Sequence, residues 1–132
     1  MANTSPIPPG YRFYKADIEK VATRHGLDPL LVAAVCWQES AFNTDAFRFE
    51  PAFHNRYLKK VPKWAGLNPR RVSSSYGLMQ VMYPLVHEDR DPSDDANPPE
   101  FLFVPEIGLD EGCTRLAQLK AWVGKLSLSE PD

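Results

Sequence analysis

The chain has 132 residues, of which 43% are hydrophobic and 24% charged, with a formal net charge of −2. That length fits one domain with one real core, the composition excludes wholesale disorder, and the charge excludes a global field that would recruit nucleic acid. The opening Met1-Ala2-Asn3-Thr4-Ser5-Pro6 lacks the basic end and apolar stretch of a signal peptide, and the longest apolar run, Leu30 to Trp37, is far too short for membrane insertion.

Pro6, Pro8 and Pro9 predict an extended arm over residues 1–13. From Tyr14 the pattern turns helical: Tyr14, Ile18, Val21, Ala22 and His25 recur on one face, and Gly26 supplies a stop. Asp28-Pro29 opens a second helix, with Asp28 as N-cap and Pro29 in the first position. Its stretch Leu30 to Trp37 is apolar on every face, which predicts a helix running through the core. Residues 43–75 read as loop and short turns, broken at Pro51, Pro62, Gly66 and Pro69. A third helix is expected over about Leu78 to Glu88, disturbed at Pro84, followed by a solvated loop over 89–100. A last helix of roughly 106–122 carries Ile107, Leu109, Leu116, Leu119 and Trp122. No alternating strand pattern exceeds a few residues, and there is no internal repeat. The expected class is mainly α, with a domain over 14–126 and a tail over 127–132.

The informative anomaly is Gln38-Glu39-Ser40 at the end of the apolar helix. A carboxylate there is expected to meet burial and the negative end of the helix dipole, which both disfavour its charge. A carboxylic acid that keeps its proton near neutral pH can donate to a leaving-group oxygen in glycoside cleavage. The plainer reading is a helix-end Glu that turns to water.

A second feature joins it. Val35-Cys36-Trp37-Gln38-Glu39-Ser40-Ala41-Phe42-Asn43 and Ser73-Ser74-Ser75-Tyr76-Gly77-Leu78-Met79-Gln80-Val81-Met82 together resemble the soluble lytic transglycosylase domain, which shares its lysozyme-like fold with goose-type lysozymes. That family carries a helix ending in Glu-Ser with a nearby Phe-Asn, then Gly-Leu-Met-Gln. Pro105 to Leu116 is similar to its third block, where a glycine lets a helix pack closely. Each motif is weak alone, but three in order are specific, and the resemblance covers roughly residues 14–122.

The resemblance implies that Glu39 is the catalytic acid and then base in cleavage of peptidoglycan glycan strands. The bond is that between N-acetylmuramic acid (MurNAc) and N-acetylglucosamine (GlcNAc), and the product is a 1,6-anhydro ring. The substrate acetamido group can steady the sugar cation, so no protein nucleophile is needed. A hydrolysing muramidase or chitinase would instead need a second carboxylate, for which Glu50 and Asp45 are the candidates; the alternative for Glu50 is an ion pair with Arg48 or Arg56. A catalytically silent glycan-binding or virion structural module is the third reading. Ser75 either orients Glu39 or caps a helix. Gln80 either holds a sugar amide or is a satisfied core amide, while Met79 and Tyr76 either stack on sugar rings or belong to the core. From Arg56 to Arg71 there are six cations and no acid. With Tyr57 and Trp64 this stretch either grips stem-peptide carboxylates or is a solvated loop.

The acids Asp89, Asp91, Asp94 and Asp95 lack calcium-loop spacing, and His25, His54 and His87 lack ligand-like pairing, so no metal or other cofactor is expected. Cys36 and Cys113 have no partner at zinc spacing and read as buried thiols, while a bridge between them depends on geometry alone. Two departures from the family stand out. Glu39 and Gly77 lie 38 positions apart, more than the usual spacing, and the chain is C-terminally short relative to the family. The family's Ala-Tyr-Asn-like motif has no counterpart, since no tyrosine follows Tyr83. An apolar flank beside Glu39 is therefore expected, covered by self-association or by a partner chain; the alternative is a last helix that folds back and buries Trp122, Val123 and Leu126. The small size and missing signal suit a phage endolysin or virion-associated enzyme acting on the cell wall.

Overall fold

A computed structural model of the chain describes residues 7–86 and 98–129. Helix α1, Tyr11–Arg24, buries Tyr14, Ile18, Val21 and Ala22, the stripe that the periodicity picks out. His25 is partly buried and turns to Asp110, Nε2 to Oδ1 at 2.7 Å. Gly26 stops the helix as predicted: its N–H donates to the Thr23 carbonyl and that of Leu27 to the Ala22 carbonyl, which together close the end. Helix α2, Pro29–Ser40, starts on Asp28, whose carboxylate accepts the Leu30 N–H at 2.9 Å, with Pro29 in the first turn.

The burial of α2 differs from the expectation. Val32, Ala33 and Cys36 are buried, but Leu30, Leu31 and Trp37 are 44–68% exposed. Its principal neighbour is α1, which covers one side only. The helix therefore lies on the core instead of running through it.

Residues 43–75 carry more structure than a loop. Strand β1 (Phe47–Phe49) is followed by α3 (Pro51–Phe53), a π turn over His54–Leu58, α4 (Pro62–Ala65) and α5 (Pro69–Val72). Pro51, Pro62 and Pro69, expected as breakers, each stand in the first turn of a short helix, where the missing N–H leaves no bond unmade. Strand β2 (Ser74–Tyr76) pairs antiparallel with β1, Phe47 opposite Tyr76, and with β3 (Val81–Met82), Tyr76 opposite Val81.

The helix expected from Leu78 to Glu88 is accordingly corrected. Residues 78–80 turn a hairpin, 81–82 form β3, and Tyr83–Val86 is a short helix, α6. The expected end of that helix at 87–88, and residues 89–97 of the expected loop, lie outside the described residues. Gly77 supplies the reason. Its φ is +81°, and a Cβ there would collide with the Leu102 carbonyl, so the chain reverses in a hairpin where a helix start was expected. Of the serines before it, Ser73 follows the end of α5 and Ser74 and Ser75 sit in β2, so none begins a helix. Their hydroxyls are satisfied across the fold, Ser73 donating to the Glu50 carbonyl and Ser74 to that of Arg70.

A 3₁₀ turn, Pro99–Phe103, leads into α7, Pro105–Ser129, longer than the 106–122 expected. Helix α7 packs chiefly on α1 and buries Leu109 and Cys113 completely. Gly112 faces the hairpin, and a Cβ there would lie 2.7 Å from the Met79 Cβ. The close packing expected of this block is thus present. Cys36 and Cys113 are free buried thiols, pushed up by burial to about 12 and about 11. Past Ala117 the helix emerges: Leu119, Trp122, Val123 and Leu126 are 47–58% exposed, so the last helix does not fold back to bury them. The class is mainly α and lysozyme-like, as expected, and no described helix is long and apolar enough to cross a membrane.

Candidate active site

The end of α2 is held in place by a side chain and two unusual backbone conformations. The Ser40 hydroxyl donates to the Leu78 carbonyl at 2.7 Å, with the Cys36 carbonyl 3.0 Å away. This ties the helix end to the hairpin turn. Ala41 and Phe42 are left-handed (φ 51° and 61°), as is Gln80 across the turn (φ 51°). Such conformations cost about 1–3 kcal/mol each in non-glycine residues and concentrate at functional sites.

Glu39 lies one turn after Val35 and therefore on the same face of α2. Val35 lines a cleft of about 250 Å³ between α2, the β2–β3 hairpin and α7, together with Met79, Gln80, Val81, Met82, Leu85, Gly112, Arg115, Leu116 and Leu119. The groove's walls come from all three sequence blocks, and Glu39 follows the wall residue Val35 by one helical turn without lining the groove itself. The burial expected for it is absent, and the residue is exposed. Core packing along α2 ends at Cys36, and the last turn projects beyond it.

Residues 17–128 match the family described as Transglycosylase SLT domain. The chain belongs to that family. No curated protein and no solved structure matches it. Membership makes this SLT domain a glycan-cleaving transglycosylase with peptidoglycan as its substrate.

The other residues singled out in the sequence fall into three groups. Met79 and Gln80 line the cleft. Gln80 donates its amide N–H groups to the Ala46 and Gly77 carbonyls at 3.1 and 3.0 Å, so it acts as a turn brace whose side chain also borders the groove. Ser75 and Tyr76 are buried in β2. The Ser75 hydroxyl lies 3.1 Å from Met82 Sδ, a weak contact, and neither orients Glu39 nor caps a helix. Tyr76 is 3% exposed and donates its hydroxyl to the Arg71 carbonyl at 2.6 Å. Its ring stands edge-on to Phe47 and Phe103, and burial pushes the phenol up to about 12. The SLT core uses Tyr76 as a pin, and its ring offers sugars no free face.

Glu50 and Tyr57 form the third group, and neither lines the cleft. Glu50 pairs with Arg48, Nε to Oε1 at 3.2 Å, which is the loop-bracing arrangement. Tyr57 is exposed on the π turn, its ring tilted against Phe53 (4.9 Å) with the Arg56 guanidinium 5.4 Å from its ring. The basic stretch is partly committed to the fold. Arg71 makes a two-pronged bond to Glu100 at 2.6 and 2.9 Å, and Arg70 lies over Phe47 and Phe49. Among the described residues, no three His, Cys, Asp or Glu side chains converge as metal ligands.

Sequence reasoning missed Val35, Arg115, Leu116 and Leu119 as cleft walls. The signal was present in part, because Gly112, Leu116 and Leu119 recur at helical spacing. Which face of α7 meets the hairpin is decided by tertiary contact, and the periodicity alone does not specify it.

Proposed function

We propose that this SLT domain cleaves the β-1,4 bond between MurNAc and GlcNAc with Glu39 as the single acid and base. The observation that carries the reading is Glu39 at the end of α2, one helical turn past Val35, which lines an apolar-walled groove of about 250 Å³. In the forward step the Glu39 carboxyl gives its proton to the glycosidic oxygen as the bond from MurNAc C1 to that oxygen breaks. The substrate acetamido group steadies the cation at C1. The Glu39 carboxylate then takes the proton of the MurNAc 6-hydroxyl, whose oxygen closes on C1 as the 1,6-anhydro ring. Atoms balance without water.

The Arg48–Glu50 pair supports a transglycosylase over a hydrolase, because a carboxylate held by a guanidinium is a poor general base. One observation favours a second reading. Glu39 is exposed, and a general acid works best where water is excluded. A domain whose groove only holds glycan would show the same exposure. Mass spectrometry of purified peptidoglycan after incubation separates these readings. Anhydro-muropeptides are the expected result, reducing ends would support a hydrolase, and uncut but bound sacculi would support the glycan-holding module. The place of action we propose is the cell wall, where the substrate lies.

A further inference from the structure

Among the described residues lining the cleft, Arg115 is the only charged one. The others are apolar except for Gln80, whose amide N–H groups are already committed to backbone carbonyls. Arg115 is held by a backbone carbonyl and by a long ion pair. One terminal nitrogen donates to the Leu85 carbonyl at 2.6 Å, and the nearest carboxylate, Glu111 one turn back on α7, is 3.7 Å away. Its Nε–H is buried and, among the described residues, has no acceptor. A buried donor left unmade is costly, the more so on a charged group, so the guanidinium still has one donor to offer an acceptor in the cleft.

The groove's chemistry says which acceptor. Its apolar walls strengthen any charge pair formed inside, and a guanidinium presents the planar fork that matches a carboxylate. Of the two sugars in the glycan, GlcNAc is neutral. The muramoyl unit bears a carboxylate, either on its lactyl ether when bare or on the stem peptide attached there. We propose that Arg115 recognises that carboxylate and is the residue by which the cleft tells a muramoyl unit from plain GlcNAc. The proposal rests on the reading that this cleft holds glycan, and makes Arg115 a specificity residue for it.

Three disaccharide-sized probes test it: chitobiose, bare GlcNAc–MurNAc, and GlcNAc–MurNAc with its stem peptide. None contains the bond to be cleaved, so the wild-type protein can be titrated directly. Wild type is expected to bind at least one charged probe about tenfold more tightly than chitobiose. The tighter of the two identifies the lactyl or the stem carboxylate as the source. Arg115→Met should remove that margin while leaving chitobiose affinity within about twofold. A variant-free readout accompanies it: the Arg115 Nε–H resonance should shift on adding the charged probe and stay still with chitobiose. No margin in wild type, a margin that survives Arg115→Met in a folded protein, or an unmoved Nε–H resonance would each overturn the proposal. A protein that leaves sacculi uncut yet keeps the Arg115-dependent margin would sink the cleavage reading and uphold this one.

Discussion

At the scale of single residues, we propose different roles for the two glutamates: the chemistry for Glu39, and a loop brace for Glu50, which is 32% exposed and paired with Arg48. Glu39→Gln keeps shape but cannot cycle a proton, and general acid–base assistance is worth about 10²–10⁴-fold. We expect that loss in muropeptide release with an unchanged circular dichroism spectrum; wild-type-like release would reject Glu39. Glu50→Gln loses a half-exposed ion pair worth about 0–1 kcal/mol. Product identity should not change and the melting temperature should fall slightly. A rate loss matching that of Glu39→Gln would return Glu50 to the chemistry.

At the scale of elements, α7 is held to α1 by charge pairs and to the hairpin by close contact. Glu106 lies 3.0 Å from Lys20 and 3.3 Å from Arg24, and Asp110 lies 3.2 Å from Arg24. The hydrogen bond from His25, and then Arg24, hold the Asp110 carboxyl below its ordinary value of 3.8. A carboxylate whose folded value is depressed contributes stability that is present above its unfolded value and lost as pH falls through the folded one. The α1–α7 seam should therefore weaken as pH drops below about 4. The effect is modest, since the pair is largely solvated. Melting curves of wild type and Asp110→Asn between pH 6 and 2.5 check this. Their difference should shrink as acid neutralises Asp110, and a difference constant across that range would refute it. Where α7 meets the hairpin, Gly112→Ala places a Cβ against Met79, an overpacking that typically costs about 1–3 kcal/mol. Unchanged stability in urea would show that α7 can move away from the hairpin at no cost.

At the scale of the whole molecule, the exposed apolar side chains are the feature to explain. Leu30, Leu31 and Trp37 on α2 are 44–68% exposed, and Leu119, Trp122, Val123 and Leu126 on α7 are 47–58% exposed; Leu119 borders the cleft. Single-tryptophan variants give a direct check. Trp37 and Trp122 should be quenched readily by acrylamide, and Trp64, 6% exposed, should be shielded. A shielded Trp122 in dilute protein would contradict the path of α7. Contiguous apolar surface beyond a few hundred Å² is unusual on a monomer, and self-association or a partner chain over this flank is our proposal for it. Sedimentation should show mass rising with concentration while Trp122 quenching falls. A constant mass with constant quenching would speak against self-association.

The chain's own pattern determined the helices that bracket the domain. Asp28-Pro29 and Gly26 act through their own backbone geometry, and the Tyr14–Ile18–Val21 stripe acts through a period that any packing partner would read. The close approach at the third block was an expectation of the family resemblance, and Gly112 makes it against Met79. Tertiary structure alone decided the rest. Ser74–Tyr76 and Val81–Met82 are too short to alternate visibly, so the hairpin follows from pairing with Phe47–Phe49 and from the Leu102 carbonyl pressing on Gly77. The depth of Glu39 depends on how far neighbouring helices reach along α2, and α1 reaches only to its buried stripe. Arg115 became a cleft residue because α7 turns that side toward the hairpin. Periodicity fixes which side chains share a face of a helix; only the packed neighbours decide whether that face meets core, cleft or water.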